Sequence, residues 1–240
     1  MPRPSLRALG LAALAWFAPP VVHAQITIDR SVIEFTPDAP MQDIELRNDG
    51  DFKIYLDLKI AEILDPHTAS PTRVELEDPR AAPMLVSPRQ VLVLPGQRKR
   101  VRVIMREAAT DVDRVFRLAI KPYTGKVELG AALPGETSTG IKVLLGYDVL
   151  LLSRPAELAP KLRVERTDTT LTLENLGNTN VLLREITQCE AGGGGCEELQ
   201  PNRLYAGERL ELALPKVGPK ERYPVEVVQA IGLRSSRGTY

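Results

Sequence analysis

Short runs in which apolar and polar residues alternate follow one another from residue 26 onward, and turn-forming residues separate them. Successive side chains of a strand point to opposite faces, so this period of two predicts β-strands with one buried face. Turn signals such as the Pro95-Gly96 pair recur about every eight to twelve residues, which is typical of sandwiches. The pattern predicts an all-β chain of antiparallel β-sandwiches.

The most regular run covers residues 141–155 and reads IKVLLGYDVLLLSRP. Six apolar residues occupy alternate positions in it: Ile141, Val143, Leu145, Tyr147, Val149 and Leu151. A strand of about 13 residues would be about 40 Å long, more than twice the usual length. Such a strand is either buried throughout in its own sandwich or lends one end to a partner by strand addition. The pattern alone leaves both interpretations open.

The segment at residues 155–160, PAELAP, is a connector bounded by prolines and predicts a domain boundary. We predict a first β-domain at residues 25–154 and a smaller one at residues 155–240. The second domain repeats the alternating style, for example at residues 180–185 and 223–230.

The first 24 residues are typical of a secretory signal peptide. Arg3 and Arg7 precede a short apolar run at residues 9–17, and Val22-His23-Ala24 resembles a small-residue cleavage site. The apolar run is too short to span a bilayer. We expect export and cleavage near Ala24.

Charge and composition argue against several kinds of partner and chemistry. Lys and Arg number 31 against 31 Asp and Glu, and loss of Arg3 and Arg7 would leave 29 against 31. Such a balance gives no reason to bind nucleic acid or anionic lipid. His67 is the one histidine beyond the signal, and it lies in a proline-containing loop, so no Ser-His-Asp or Cys-His site is predicted. We predict a protein that is not an enzyme and needs no cofactor.

Cys189 and Cys196 are the only cysteines. A pair of cysteines in an exported chain is typical of a disulfide, and this one would close a small glycine-rich loop. Two thiols and one histidine do not complete a typical zinc site, so no metal is predicted.

Several segments, in their order and spacing, resemble the periplasmic pilus-assembly chaperones of the chaperone–usher pathway, the PapD-like family. They are Asp29-Arg30 with Phe35, Asn48-Asp49, and the runs LVLPGQRKRVRV, VFRLAIKP, GYDVLLLSRP, LENLGNTNVLLREITQC and RLYAGERLEL, which begin at residues 92, 115, 146, 173 and 203. Together they extend over nearly all of the chain beyond the signal. The cysteine placement is closer to the alternative and archaic branches of this family.

This resemblance implies two Ig-like domains set in an L shape and a donor strand at the end of the first domain. The strand would be lent to an incomplete pilus subunit until an outer-membrane usher replaces it with the next subunit's extension. Four residues fall on the donor positions: Ile141, Val143, Leu145 and Tyr147. Self-association of the client-free protein through the same edge is a further expectation.

One expected feature of the family is missing from the sequence. The two basic residues that usually hold the subunit's C-terminal carboxylate fall on Val32 and Leu150 here. We hypothesise that other cations replace them, and the candidates are Arg117, Lys121, Arg30 and Arg100. The resemblance also implies that Arg102 pairs with an acid near Asp113 and thereby fixes the angle between the domains.

The main alternative is a secreted structural or adhesive β-sandwich protein that is itself a pilus component. Such a subunit would lack one strand and would carry a free donor extension at its N-terminus. Here the predicted mature N-terminus, Gln25, is followed almost directly by a strand, which favours the chaperone interpretation.

Overall fold

The computed structural model describes residues 25–123 and 144–240, and within these ranges all regular structure is β. The first part of the chain contains β1 (Ile26–Ile28), β2 (Val32–Phe35), β3 (Met41–Asn48), β4 (Ile54–Leu64), β5 (Thr72–Glu75), β6 (Met84–Ser87), β7 (Gln90–Val93), β8 (Arg98–Met105), β9 (Arg114–Tyr123) and β10 (Tyr147–Ser153). The second contains β11 (Leu162–Arg166), β12 (Thr170–Asn175), β13 (Val181–Gln188), β14 (Glu197–Leu199), β15 (Asn202–Leu204), β16 (Arg209–Ala213), β17 (Val225–Ile231) and β18 (Arg234–Thr239).

Strands β1 to β10 form two sheets around one core. One sheet has the order β1-β3-β8-β6, and the other has the order β2-β10-β9-β4, with β5 and β7 paired to the far edge of β4. Within the second sheet β10 runs parallel to β2 and antiparallel to β9. Fully buried side chains from both sheets, such as Phe35, Ile44, Phe116 and Leu151, meet between them.

The chain passes from one sheet to the other between β1 and β2. The crossing consists of the polar residues Asp29, Arg30 and Ser31, which interrupt the apolar alternation. The Asp29 carboxylate accepts a hydrogen bond from the N–H of Glu45 at 3.0 Å. The Asp29 side chain thus satisfies a backbone donor of β3 just beyond the end of β1. This crossing places β2 beside β10.

Strands β11 to β18 form a second, smaller sandwich. Its sheets have the orders β11-β12-β16 and β14-β13-β17-β18, with β15 also paired to β13. Its own core contains buried residues such as Leu171, Leu183 and Val225. The prediction of an all-β chain with two sandwiches is confirmed, while the exact boundary at residues 154 and 155 remains a prediction.

Over residues 25–123 and 144–240, no helix is long and apolar enough to cross a membrane. The signal peptide predicted at residues 1–24 lies outside the described residues.

Candidate binding edge and domain junction

Strand β10 is covered on both sides at one end and on one side at the other. From Leu150 to Ser153 it pairs with both β2 and β9. In the part of the chain that the structure describes, Tyr147, Asp148 and Val149 pair with β9 alone, because β2 begins opposite Leu150. A strand edge without a neighbour offers its N–H and C=O groups to another chain.

The ladder between β9 and β10 ends at Tyr147, which lies opposite Ile120. Pro122 has no N–H to continue it, and its Cδ would lie 3.3 Å from a Cβ at position 146. The same Cβ would lie 2.9 Å from the carbonyl oxygen of Ile120, so glycine is required at position 146 for this approach. The strand predicted to start at residue 141 is therefore shorter than expected: residues 144–146 are not part of it.

The structure describes two of the four predicted donor residues, while Ile141 and Val143 lie outside the described residues. Leu145 is 58% exposed. Tyr147 packs against the core of the first sandwich, and its hydroxyl donates a hydrogen bond to the carbonyl of Ile26 at 2.5 Å. Leu145 is thus open to a partner, whereas the chain itself already holds the side chain of Tyr147.

The outer face of the sheet brings together the two positions at which the resemblance implies basic residues. Val32 and Leu150 are cross-strand partners in β2 and β10. Arg117 lies opposite Leu150 on β9, between Phe116 and Leu118, which point into the core. Because side chains alternate, Arg117 points outward. A guanidinium therefore lies one strand away from the apolar pair.

The other candidate cations do not converge on this position. Lys121 shares the outer face of β9 with Arg117. Arg30 lies in the crossing between β1 and β2, where it pairs with Asp29 at 3.0 Å. Arg100 lies on β8, which belongs to the opposite sheet. Arg117 and Lys121 are thus the two candidates on the sheet that contains β10.

The predicted pairing of Arg102 with Asp113 is wrong. Arg102 donates hydrogen bonds of 2.7 and 3.0 Å to the carboxylate of Asp43, because the two residues lie opposite each other in β8 and β3. The side-chain hydrogen bond from Arg102 holds the pKa of Asp43 below its usual value.

A buried arginine, Arg154, joins the two sandwiches just beyond the end of β10. Its side chain is 3% exposed, and its guanidinium pairs with Glu34 of β2 at 2.7 Å and lies 3.7 Å from the carboxylate of Asp113. It also donates a hydrogen bond to the hydroxyl of Thr179. The Asp113 carboxylate in turn accepts from the N–H of Asn180 at 2.8 Å. Both domains therefore contribute to one buried polar cluster.

Sequence reasoning placed Asp113 at the domain junction but missed Arg154. The available signal was its position, one residue after the apolar run of β10 and directly before the proline-bounded connector. An arginine in such a place is rarely buried without a partner. A buried acid such as Asp113 was therefore to be expected beside Arg154.

Tyr205, which belongs to the second sandwich, borders the outer face of β10. Tyr205 packs against three apolar residues of the first sandwich, Val115, Leu150 and Leu152. Arg203 donates a hydrogen bond to the side-chain oxygen of Asn180. Burial lowers the pKa of Arg203 and raises the pKa of Tyr205. Alternation along the sequence could not indicate which first-domain residues Tyr205 would meet.

Side chains also hold the uncovered half of β10. Arg73, on β5, donates hydrogen bonds of 3.2 and 3.3 Å to the carboxylate of Asp148. Strands β4 and β9 separate β5 from β10, so the Arg73 side chain extends across the outer face of the sheet. Arg73 also pairs with Glu75 at 3.1 Å. An exposed ion pair therefore lies at the start of β10, where a second neighbouring strand is lacking among the described residues.

The predicted disulfide between Cys189 and Cys196 is present and closes the loop between β13 and β14. Among the residues that the structure describes, no group of three or more His, Cys, Asp or Glu side chains is suited to hold a metal ion.

The fold is that of the fimbrial chaperones. The class 5 fimbriae chaperone CfaA matches with a TM-score of 0.61 at 15% identity, over 89% of this chain and 98% of that chain. A chain of the Salmonella enterica SafA pilin complex with the SafB chaperone matches with a TM-score of 0.61 at 16% identity, over 91% and 97%. A chain of the CsuC–CsuE chaperone–tip adhesion subunit complex, from archaic chaperone–usher Csu pili of Acinetobacter baumannii, gives 0.58 at 12%, over 90% and 98%.

At these identities the likeness establishes the fold. No protein-family model matches the sequence, and no curated protein does either.

Proposed function

We propose that this chain is a periplasmic, non-enzymatic chaperone that binds incomplete pilus subunits through the uncovered edge of β10. The observation that carries this proposal is the half-covered strand: among the described residues, its first three residues pair with β9 alone, and exposed Leu145 lies just before them, separated by Gly146. The fold supports the class of client, because solved complexes with this fold contain a pilin and a tip adhesion subunit.

Strand addition explains how such an edge would stabilise a client. A subunit that lacks a strand has an open core, and a donor strand supplies main-chain hydrogen bonds and alternate apolar side chains. Ile141, Val143, Leu145 and Tyr147 are the proposed donor residues. Each apolar side chain that leaves water contributes about 1.5–3 kcal/mol, so a few of them could hold a client firmly.

We propose that Arg117 replaces the missing carboxylate anchor. It lies on the outer face beside Leu150, and its guanidinium makes no ion pair with any carboxylate of the described residues. Lys121 lies on the same face and is the second candidate, followed by Arg30 and Arg100. A charge-assisted hydrogen bond is worth about 1.5–3 kcal/mol, so alanine at the anchor should weaken capture by about tenfold or more. Unchanged capture by alanine variants at all four positions would refute the cation anchor.

Four further expectations belong to the same proposal. They are export with cleavage near Ala24, delivery of the client to an outer-membrane usher, self-association of the free protein, and membership of the alternative or archaic branch. A non-enzymatic role is supported by the solved chaperones that share the fold, such as CfaA. The alternative of a pilus component has less support, because CfaA, a chaperone, matches over 98% of its own length.

Co-expression with the small secreted β-protein encoded nearest to this chain's gene tests the proposal. Two forms of that subunit are compared, one with its N-terminal extension deleted and one with the missing strand supplied in cis. The chain should co-purify from the periplasm with the first form and not with the second. Leu145→Asp should abolish this capture while the chain stays soluble.

The matched control is Val217→Asp, which places the same charge at another exposed apolar residue, 65% exposed, in the second domain. This control should capture the subunit as the unaltered chain does. Equal capture by the Leu145→Asp chain would contradict the donor-edge proposal.

A further inference from the structure

The uncovered edge of β10 has a definite hydrogen-bonding direction. The N–H of Leu150 donates to the carbonyl of Ser31 at 2.9 Å, on the side where β2 pairs. Backbone groups of residues two apart in a strand point to the same side. The N–H and C=O of Asp148 therefore point to that side as well, at a level where β2 has not yet begun.

The carbonyl oxygen of Asp148 accepts a hydrogen bond from a side chain rather than from a neighbouring strand. Nη1 of Arg117 donates a hydrogen bond to this oxygen at 3.3 Å. Arg117 belongs to β9, which lies on the other side of β10, so its side chain must cross the outer face of β10 to reach the edge. The guanidinium thus occupies the place that an N–H of an added strand would take.

Among the described residues, no carboxylate forms an ion pair with Arg117. The nearby carboxylate of Asp148 is already bound by Arg73. Within residues 25–123 and 144–240, no carboxylate lies within ion-pair distance of Arg117, and its bond to a neutral carbonyl is longer than the usual range of about 2.7–3.2 Å. Such a bond can be exchanged at little cost when a better donor arrives.

We propose that Arg117 is a specificity residue that caps the free edge of β10 at Asp148 until an added strand takes that carbonyl. The inference rests on the proposed function, since the added strand is the client's. Once an N–H of the client replaces the guanidinium, Arg117 can pair with a carboxylate that the client brings. A client without such a carboxylate would leave the displaced cation unpaired, so Arg117 favours clients that supply one.

The first test needs no client. The carbonyl carbon resonance of Asp148, detected through the amide of Val149, should shift upfield in Arg117→Ala because a hydrogen bond to the oxygen is lost. It should not move in Arg163→Ala, which removes an exposed arginine of β11 that pairs with Glu174. Arg117→Gln serves if the alanine variant does not fold. An unchanged resonance in the folded variant overturns the cap, whereas the proposed function is judged separately by Leu145→Asp.

The second test uses the subunit without its N-terminal extension and measures binding kinetics. Arg117→Ala should associate about fivefold faster, because no guanidinium has to be displaced, and should dissociate about fiftyfold faster, because the client's carboxylate loses its partner, so that capture is still about tenfold weaker. A residue that acts only as an anchor would change dissociation alone. An association rate equal to that of the unaltered chain therefore overturns the cap and leaves the anchor standing.

Discussion

Leu145 and Leu151 occupy the same phase of one alternating run, yet Leu145 is exposed and Leu151 is buried. Leu151 lies in the half of β10 that has β2 and β9 as neighbours, and it is fully buried in the first core. Leu145 precedes the strand and is 58% exposed. The side chains are identical and the periodicity is unbroken, so it is the position inside or outside the paired strand that decides which residue belongs to the chain's own core.

The two halves of β10 share one sequence pattern but differ in what surrounds them. Beyond Leu150 the strand is enclosed by β2, by β9 and, on its outer face, by Tyr205 of the second sandwich. Before Leu150 it is held by β9 and by the side chains of Arg73 and Arg117. Among the described residues, the earlier half has one side whose backbone groups pair with no strand, and such an edge is a template for the strand of another chain.

The largest effect on stability is expected at the enclosed end, from Arg154→Ala. The variant leaves Glu34 and Asp113 without their common cation at a buried junction. Breaking a buried ion pair by removal of one partner typically costs about 3–5 kcal/mol. Denaturant unfolding should show this loss in the free energy of unfolding.

Arg102→Ala is the matched control, because it also removes an arginine that pairs with a carboxylate, Asp43, but at an exposed site. Exposed pairs contribute little, so this loss should be much smaller than the loss in Arg154→Ala. Equal losses in the two variants would show that the junction is open to water in solution.

The matched pair Leu151→Ala and Leu145→Ala tests the comparison directly. Truncation of a fully buried leucine leaves a cavity and should lower the free energy of unfolding by about 2–5 kcal/mol. The same truncation at exposed Leu145 should change it by about 0.5 kcal/mol or less. A loss at Leu145 as large as that at Leu151 would mean that the earlier half is enclosed in the free chain.

The sequence predicted the strands better than it predicted their neighbours. Alternation and turn residues suffice for an all-β chain, and the cysteine pair sufficed for the disulfide. Arg102 was misassigned because its partner, Asp43, lies 59 residues away and is brought opposite it only by the β3–β8 register. The β9–β10 ladder ends at Tyr147, where Gly146 lies against Pro122. This end could not be predicted either, because it depends on which residues the pairing of the two strands brings together.

A smaller effect, visible as pH dependence, is expected at Glu208, which supports the outer enclosure of β10. Its carboxylate accepts the N–H of Tyr205 at 2.8 Å, and Tyr205 packs on Leu150 and Leu152. Burial raises the pKa of Glu208, and the hydrogen bond from Tyr205 and the nearby charge of His67 only partly oppose this.

The raised pKa fixes the sign of the pH dependence. The folded chain binds the proton of Glu208 more tightly than the unfolded chain does. This contribution to stability is therefore complete below the unfolded pKa and is lost as pH rises through the folded pKa. Glu208→Gln keeps an oxygen for the N–H of Tyr205 and removes the titration. The variant should unfold at the same denaturant concentration as the unaltered chain at pH 3 and at a higher one at pH 7. A variant that is less stable than the unaltered chain at pH 7 would show that the charged hydrogen bond outweighs burial, and the outer enclosure of β10 would then depend on the ionised carboxylate.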